Sequence, residues 1–184
     1  MNSRLLTSGS VSKPELGVPH DPGRVVSNAG PLITLATMGK LDLLKGLFAR
    51  VYIPEAVYDE VVVRGNGEPG SREVDAAEWI ETCVVEDRLS VSLLRDELDA
   101  GESEVIVLAE EFGARYVLLD DRLARRKTMR LGLSTTGTLG VLLMSKEAGL
   151  IAQIKPILDE LRETDFRMSS TVYREVLVKA HEES

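Results

Sequence analysis

Two adjacent aspartates, Asp120 and Asp121, stand where a predicted buried strand ends. The segment before that strand has the apolar spacing of a helix, and Glu102 stands in its first turn. At helical spacing Glu102 shares a face with Val105 and Ile106, so the pattern predicts that its carboxylate points inward. An inward carboxylate at a helix start and further carboxylates at a strand end are typical of a pocket for a divalent cation.

Glu104, on the same helix, is predicted to share the opposite face with Glu111 and to point to water. The two glutamates are therefore expected to differ, with Glu102 at a site and Glu104 on the surface. Glu102 also has a purely structural alternative, because an acid in the first turn of a helix interacts favourably with the helix dipole.

Two further polar residues accompany other predicted strands. Asn28 comes directly after the predicted strand 24–27, and Glu60 lies on the helix that Pro54 opens, turned partly inward. Strands alternate with helices along the chain, which predicts an α/β fold with a central, mostly parallel sheet flanked by helices. Because ligands bind beyond the carboxyl ends of such strands, Asn28, Glu60 and Glu102 could border one crevice with the two aspartates.

Several carboxylates at the mouth of a sheet repel one another unless a cation joins them. For two unit charges 4 Å apart this repulsion is roughly 4 kcal/mol at an effective dielectric near 20. The candidate ligands are all oxygen atoms, so the ion should be Mg²⁺ or Mn²⁺. Such an ion can activate water and stabilise the charge that develops on a phosphodiester. The residues alone thus predict a metal-dependent phosphodiesterase acting on RNA or DNA.

A basic helix follows the two aspartates and could hold the backbone of a nucleic-acid strand. Its cations and two threonines near the next helix are the candidate nucleic-acid contacts: Arg122, Arg125, Arg126, Thr136 and Thr138. These residues have ordinary alternatives, because a basic helix is often a solvated face and a threonine before a helix often caps it.

The site candidates have structural alternatives as well. Asp120 could cap the basic helix, and Asp121 could pair with the arginines that follow it. Glu60 could pair with Arg64 along its helix. Asn28 is also a normal turn residue, since asparagine tolerates unusual backbone angles.

The chain is predicted to form one domain. Residues 1–23 carry no apolar periodicity and are predicted to be a flexible leader. Residues 24–184 are predicted to form the α/β domain, which ends in two further helices. Between the outer and central strands, the pattern predicts a helix through Ala76 and Trp79 and a short helix around residues 93–98.

Composition limits the class of protein. The 184 residues carry a formal net charge of −8, which argues against a broad nucleic-acid-coating surface and is compatible with a basic partner protein. Cys83 is the single cysteine, so no intrachain disulfide can form, as is typical of a reducing compartment. No apolar run approaches the roughly 20 residues that span a bilayer. We therefore expect a cytoplasmic protein without a membrane association.

Four segments, in this order and spacing, resemble those of PIN-domain proteins: VVSNAGPLI, VYIPEAVYDEVV, LDAGESEVIVLA and VLLDD. The resemblance extends over about residues 24–150. It is greatest to the prokaryotic group related to the VapC-type toxin ribonucleases of VapBC toxin–antitoxin pairs. It implies a Rossmann-like sheet and a Mg²⁺- or Mn²⁺-dependent endoribonuclease site that acts on RNA. It also implies a homodimer and, for toxin members, a cognate antitoxin that blocks the site.

The resemblance assigns roles to individual residues. The acid after the family's first strand falls at Asn28, and the acid of its Pro-x-x-Val-x-x-Glu motif falls at Glu60. The helix-start acid falls at Glu102 and the strand-end acid at Asp120, with Asp121 as a neighbour that could add a ligand. The implied catalytic acids are Glu60, Glu102 and Asp120, and all five residues are implied metal ligands.

Asn28 departs from the family pattern, which usually has aspartate at this position. An amide oxygen can ligate a hard cation but brings no negative charge, so metal affinity should fall and activity should be weak, altered or absent. This supports a second hypothesis, a degenerate PIN domain that binds RNA or a protein partner without cleaving. A third is a hard-metal phosphatase, which is disfavoured because no nucleophilic Asp motif follows the first strand.

Overall fold

A computed structural model describes residues 23–183, so that the predicted leader, residues 1–23, lies outside the described residues except for Gly23. The described chain forms an α/β fold with a five-stranded sheet in which every pairing is parallel. Helices flank this sheet, and the predicted fold class is confirmed. Within the described residues, no helix has the length and apolar character needed to cross a membrane.

The sheet has the strand order β3-β2-β1-β4-β5. Its strands are β1 (Val25–Ser27), β2 (Val51–Pro54), β3 (Ile80–Cys83), β4 (Tyr116–Leu118) and β5 (Thr135–Thr136). The chain moves outward from β1 through β2 to β3, then returns to the other side of β1 for β4 and β5. Connections on the two sides of β1 therefore diverge, which opens a crevice at the carboxyl edge between β1 and β4.

Ten α-helices and one π-helical segment, Asp59–Arg64, are found in the described residues. The helices are α1 (Ala29–Thr37), α2 (Asp42–Phe48), α3 (Glu55–Tyr58), α4 (Ser71–Asp75), α5 (Arg88–Leu94), α6 (Ala100–Glu111), α7 (Arg122–Arg130), α8 (Thr138–Glu147), α9 (Lys155–Leu161) and α10 (Ser170–Lys179). The π-helical segment continues α3 without a break and carries Glu60.

The core lies on both faces of the central strands. Val25, Val26, Val117 and Leu118 have no exposed surface, which explains why β1 and β4 are short continuous apolar runs without alternation. The covering helices contribute branched aliphatic side chains that are also fully enclosed: Leu32, Leu35, Ile106, Leu108 and Leu142. This packing fixes the carboxyl ends of β1 and β4 beside each other.

Two predicted helices lie elsewhere. The helix expected through Ala76 and Trp79 is α4, which ends at Asp75, and Trp79 lies in the turn before β3. The helix expected around residues 93–98 is α5, which begins at Arg88. It begins there because the side chain of Asp87 accepts a hydrogen bond from the N–H of Ser90 and caps the helix.

The expectation that Glu104 points to water is wrong. Its side chain is buried because α6 packs between the sheet and two other helices, α3 and α5. Its Oε2 accepts a hydrogen bond from the N–H of Ala56 at 3.2 Å, and its Oε1 accepts one from Arg88 at 2.9 Å. Helical spacing correctly placed Glu102 and Glu104 on different faces of α6. Other elements nevertheless cover the face that carries Glu104.

Candidate functional site

Asn28 is placed at the carboxyl end of the central strand. Its N–H donates to the carbonyl of Leu118 at 3.0 Å, so the pairing of β1 with β4 holds its backbone. Its side chain does not cap α1, although Asn28 occupies the N-cap position. The Oδ1 atom is buried and has no hydrogen-bond partner among residues 23–183. A buried amide oxygen without a donor is costly, so a bound water or a ligand is expected beside it.

Gly101, the second residue of α6, lies against both Asn28 and Glu60. A Cβ atom on this glycine would stand 3.1 Å from Asn28 Oδ1 and 3.2 Å from Glu60 Oε2. The two side-chain oxygens therefore approach the same small space, which only a residue without a side chain leaves open. Both oxygens are acceptors when Glu60 is ionised, so a cation or a proton donor is the chemical complement of this space.

Glu60 is held by the π-helical segment. Burial and the nearby charge of Asp99 raise the pKa of Glu60, and the charge of Arg64 partly opposes them. No ion pair joins Glu60 to Arg64 in the described chain, because π-helical winding replaces the spacing on which an i,i+4 pair depends. π-Helical turns are frequent at functional sites.

Asp120 lies two residues beyond β4 and is anchored by the start of α8. Its Oδ1 accepts the N–H of Thr138 at 2.8 Å, and its Oδ2 accepts the hydroxyl of Thr138 at 2.6 Å. Gly137 permits this approach, because a Cβ there would stand 2.5 Å from Asp120 Oδ1 and 2.9 Å from the carbonyl oxygen of Leu119. Burial raises the pKa of Asp120, opposed by the Thr138 hydrogen bonds and the charge of Arg125.

Glu102 takes part in a capping box at the start of α6. Its Oε2 accepts the N–H of Asp99 at 3.3 Å, while its own N–H donates to Asp99 Oδ1 at 2.7 Å. Burial and the charge of Asp99 raise the pKa of Glu102, with further repulsion from Asp121 and Glu60, while the Asp99 N–H lowers it. Glu102 thus has a structural role and also lies within electrostatic range of two other site candidates.

Asp121 is the N-cap of the basic helix. Its Oδ1 accepts the N–H groups of Leu123 and Ala124 at 2.7 and 2.8 Å. The capping role considered for Asp120 therefore falls to Asp121, and this leaves Asp120 free to turn toward α8. Oδ1 of Asp121 is engaged in this cap, so only its other carboxylate oxygen is available to a ligand in addition.

The candidate nucleic-acid contacts divide into three groups. Arg122 and Arg126 are exposed on α7, and Arg125 is half-buried and close enough to Asp120 to lower its pKa. Thr136 is half-buried on β5. Thr138 is fully buried, and both its N–H and its hydroxyl serve Asp120. Its role differs from the phosphate contact expected of it: it positions a carboxylate.

A cleft of about 770 Å³ opens beside the acids. Glu60 and Asp120 both line it, together with Gly30 and residues of α1. The opposite wall comes from the segment that follows α9, including Phe166 and Arg167. The cleft therefore places two of the three predicted catalytic acids on one accessible surface.

The donor set suits a hard cation, although the acids are not gathered on one point. No three Asp, Glu, His or Cys side chains in the described part of the chain lie close enough to ligate one ion. The unpartnered oxygen of Asn28 beside Glu60 is nevertheless the arrangement that a Mg²⁺ or Mn²⁺ ion would satisfy. The residues present therefore fit such an ion in chemistry.

Reasoning from the sequence missed Asp99, Gly101 and the role of Thr138. Asp99 stands three residues before Glu102, and this Asp-x-x-Glu spacing before an apolar run is the signature of a capping box. Gly101 gave a weaker signal, a glycine inside the first turn of a predicted helix. The bond from Thr138 to Asp120 joins residues 18 apart in sequence and has no local signal.

The sequence was compared with protein families and with curated proteins. The model of the DUF3368 family, described as a PIN domain, matches residues 24–182. No curated protein matches the sequence significantly. The family match spans the whole sheet, both sides of the crevice and the C-terminal helices. The chain therefore belongs to this PIN-domain family, whose fold is that of nucleases.

Proposed function

We propose that the protein is a Mg²⁺- or Mn²⁺-dependent endoribonuclease whose site lies at the carboxyl edge between β1 and β4. The observation that carries this proposal is the convergence of Asn28 Oδ1 and Glu60 Oε2 on Gly101 without a donor between them. Asn28 and Glu60 would hold the ion. Glu102, Asp120 and Asp121 are the further ligands proposed, and they would have to move toward the ion, because no three acids of the described chain lie within ligating distance of one point. When bound, the ion supplies a water activated for attack and positive charge for the phosphodiester.

The protein's own residues have separable tasks in this proposal. Thr138 holds Asp120 through both carboxylate oxygens and so fixes the acid at one wall of the cleft. Raised pKa values at Glu60, Glu102 and Asp120 reflect burial of charge that a cation would offset. The arginines of α7 would contact the RNA backbone beside Asp120, with Arg125 the nearest of them to the acid.

The biological setting belongs to the same proposal. Resemblance of the four segments to VapC-type ribonucleases supports a toxin role, with a cognate antitoxin and a homodimer as partners. The net charge of −8 would favour a basic partner. The single cysteine supports a cytoplasmic location.

A degenerate, non-cleaving PIN domain is the second candidate function. Its specific support is that Asn28 brings no charge and that, among residues 23–183, no three acids lie within ligating distance of one ion. RNA binding that ignores EDTA and survives substitution of Glu60 and Asp120 would favour it.

The deciding experiment measures cleavage of a labelled structured RNA by the full chain with Mn²⁺ and with EDTA. We expect cleavage only with Mn²⁺ and a loss of at least about a hundredfold in Asp120→Asn. Asp42→Asn is the matched control, because Asp42 is an exposed aspartate on α2 that does not line the cleft. An equal rate in Asp120→Asn, or no cleavage by the unmodified chain, would overturn the proposal.

A further inference from the structure

A second cavity, of about 370 Å³, adjoins Glu60. It does not include Asp120, and its wall is formed by Arg64, Arg95 and the first residues of α6, among them Gly101. Glu60 therefore borders both this cavity and the larger cleft that Asp120 lines. An RNA strand that passed Glu60 could enter both the larger cleft and this second cavity.

Two arginines from separate elements line this cavity. Arg64 ends the π-helical segment, and Arg95 is the C-cap residue of α5. Both are exposed, and within the described residues neither side chain forms a hydrogen bond or an ion pair. Their charges are therefore available to a ligand.

The acids in the same wall, Glu60 and Asp99, form no ion pair with either arginine in the described residues, although the charge of Arg64 lowers the pKa of Glu60. Asp99 is engaged at the start of α6, where its Oδ1 accepts the N–H of Glu102. Glu60 faces Asn28 across Gly101 and is the residue that the proposed cation would join. Ala100 and Gly101 form the first turn of a 12-residue helix, and the positive end of the helix dipole adds to the charge of the two arginines.

We propose that Arg64 and Arg95 bind a phosphate of a single-stranded RNA, next to the phosphate that reaches the acids. This subsite rests on the proposed nuclease function, because the acids must be matched by a cation before a polyanion can lie beside them. Arginine suits the task, since its planar fork donates two hydrogen bonds to one phosphate. The cavity would then set the register of the strand without reading its bases.

The test measures the affinity of a short fluorescein-labelled single-stranded RNA by anisotropy in Mn²⁺ over a range of salt. All proteins carry Asp120→Asn so that cleavage does not interfere. The variant is Arg64→Gln with Arg95→Gln. The control is Arg115→Gln with Arg174→Gln, which removes the same charge from two exposed arginines that border neither cavity.

We expect the Kd of the Arg64 and Arg95 variant to rise about tenfold and the control to change by less than about twofold. The logarithmic salt slope should fall by about 0.7 for one lost contact to a single-strand phosphate. Equal Kd values and slopes in the two double variants, or no measurable binding by the parent, would overturn the subsite. If the Kd depends on the two arginines but the unmodified chain, with Asp120 intact, never cleaves RNA in Mn²⁺, the nuclease function alone is refuted.

Discussion

Asn28 Oδ1 and Glu60 Oε2 both lie beside Gly101, the one position on α6 that has no side chain. Asn28 ends the central strand, Glu60 sits on a π-helical turn, and Gly101 lies in the first turn of α6, so three elements far apart in sequence meet there. Because both oxygens are acceptors when Glu60 is ionised, their approach to this space is unfavourable until a cation or a proton is added.

Asn28→Asp should raise the affinity for Mn²⁺ by about tenfold or more, because a carboxylate replaces a neutral amide beside Glu60. Without metal the same change should lower the melting temperature, since it buries a second negative charge next to the first. Isothermal titration calorimetry measures the affinity. Thermal melts in EDTA and in Mn²⁺ test whether the substitution lowers the melting temperature without the metal and raises it with the metal. An unchanged affinity would mean that Asn28 is not a ligand.

Gly101→Ala should weaken metal binding without lowering the stability of the protein. Alanine is favoured over glycine inside a helix by up to about 1 kcal/mol, which offsets part of any strain in the folded protein. The new Cβ would stand 3.1–3.2 Å from the two oxygens and narrow the space where the ion is expected. We therefore expect a nearly unchanged melting temperature in EDTA together with a large loss of Mn²⁺ affinity by calorimetry.

Gly30→Ala is the matched comparison for Gly101→Ala. Gly30 is also the second residue of a helix beside a site acid, but its added Cβ would stand 3.7 Å from Asp120 Oδ2, an ordinary contact. The loss of Mn²⁺ affinity in Gly30→Ala should therefore be clearly smaller than the loss in Gly101→Ala. Equal losses in the two variants would show that the space beside Gly101 is not special.

The sequence was sufficient to predict the sheet and the order of its elements. Apolar runs at β1 and β4 and the alternation of strands and helices carry that information locally. The placement of Asn28 and Asp120 at one edge could be expected as well, since strand ends of a parallel sheet share an edge. The contacts that hold the side chains could not be predicted, because Thr138 and Gly137 contact Asp120 across a long sequence separation.

Glu60→Gln should stabilise the protein at neutral pH in the absence of metal. Burial and the charge of Asp99 raise the pKa of Glu60 above its ordinary value of 4.5 in the folded chain. The folded state therefore binds this proton more tightly than the unfolded state, and stability is lost as pH rises from 4.5 through the raised value. Glutamine does not ionise and so avoids this loss. The melting temperature of Glu60→Gln should therefore exceed that of the unmodified chain at pH 7 and match it below pH 4.5.

With Mn²⁺ at neutral pH, the unmodified chain should have a higher melting temperature than Glu60→Gln, the reverse of their order without metal. An ion that binds only the folded state stabilises it in proportion to its occupancy, and Glu60→Gln removes a ligand charge. Glu55→Gln, an exposed glutamate on the preceding helix, should show neither effect. If Mn²⁺ raised the melting temperature of Glu60→Gln as much as that of the unmodified chain, Glu60 would not contribute to the ion site.

Glu104 shows where helical spacing is insufficient, and it supplies the last prediction. Spacing placed it on the face opposite Glu102, yet α3 and α5 cover that face, and Glu104 is 7% exposed. Its Oε2 accepts the N–H of Ala56 in the first turn of α3, directly before the π-helical segment. Glu104→Ala should lower the free energy of unfolding by about 1–3 kcal/mol, because this N–H is left without an acceptor.

Two companion variants identify which part of the Glu104 interaction matters. Glu104→Gln keeps an oxygen acceptor for Ala56 and should lose less stability than Glu104→Ala in urea denaturation. Arg88→Ala should lose less than Glu104→Ala, because the Arg88 side chain is 62% exposed and water can reach the Arg88 end of the pair, although the Glu104 side chain is only 9% exposed. A loss in Glu104→Gln as large as that in Glu104→Ala would mean that the charge of Glu104, and not its hydrogen bond to α3, holds the helix that leads to Glu60.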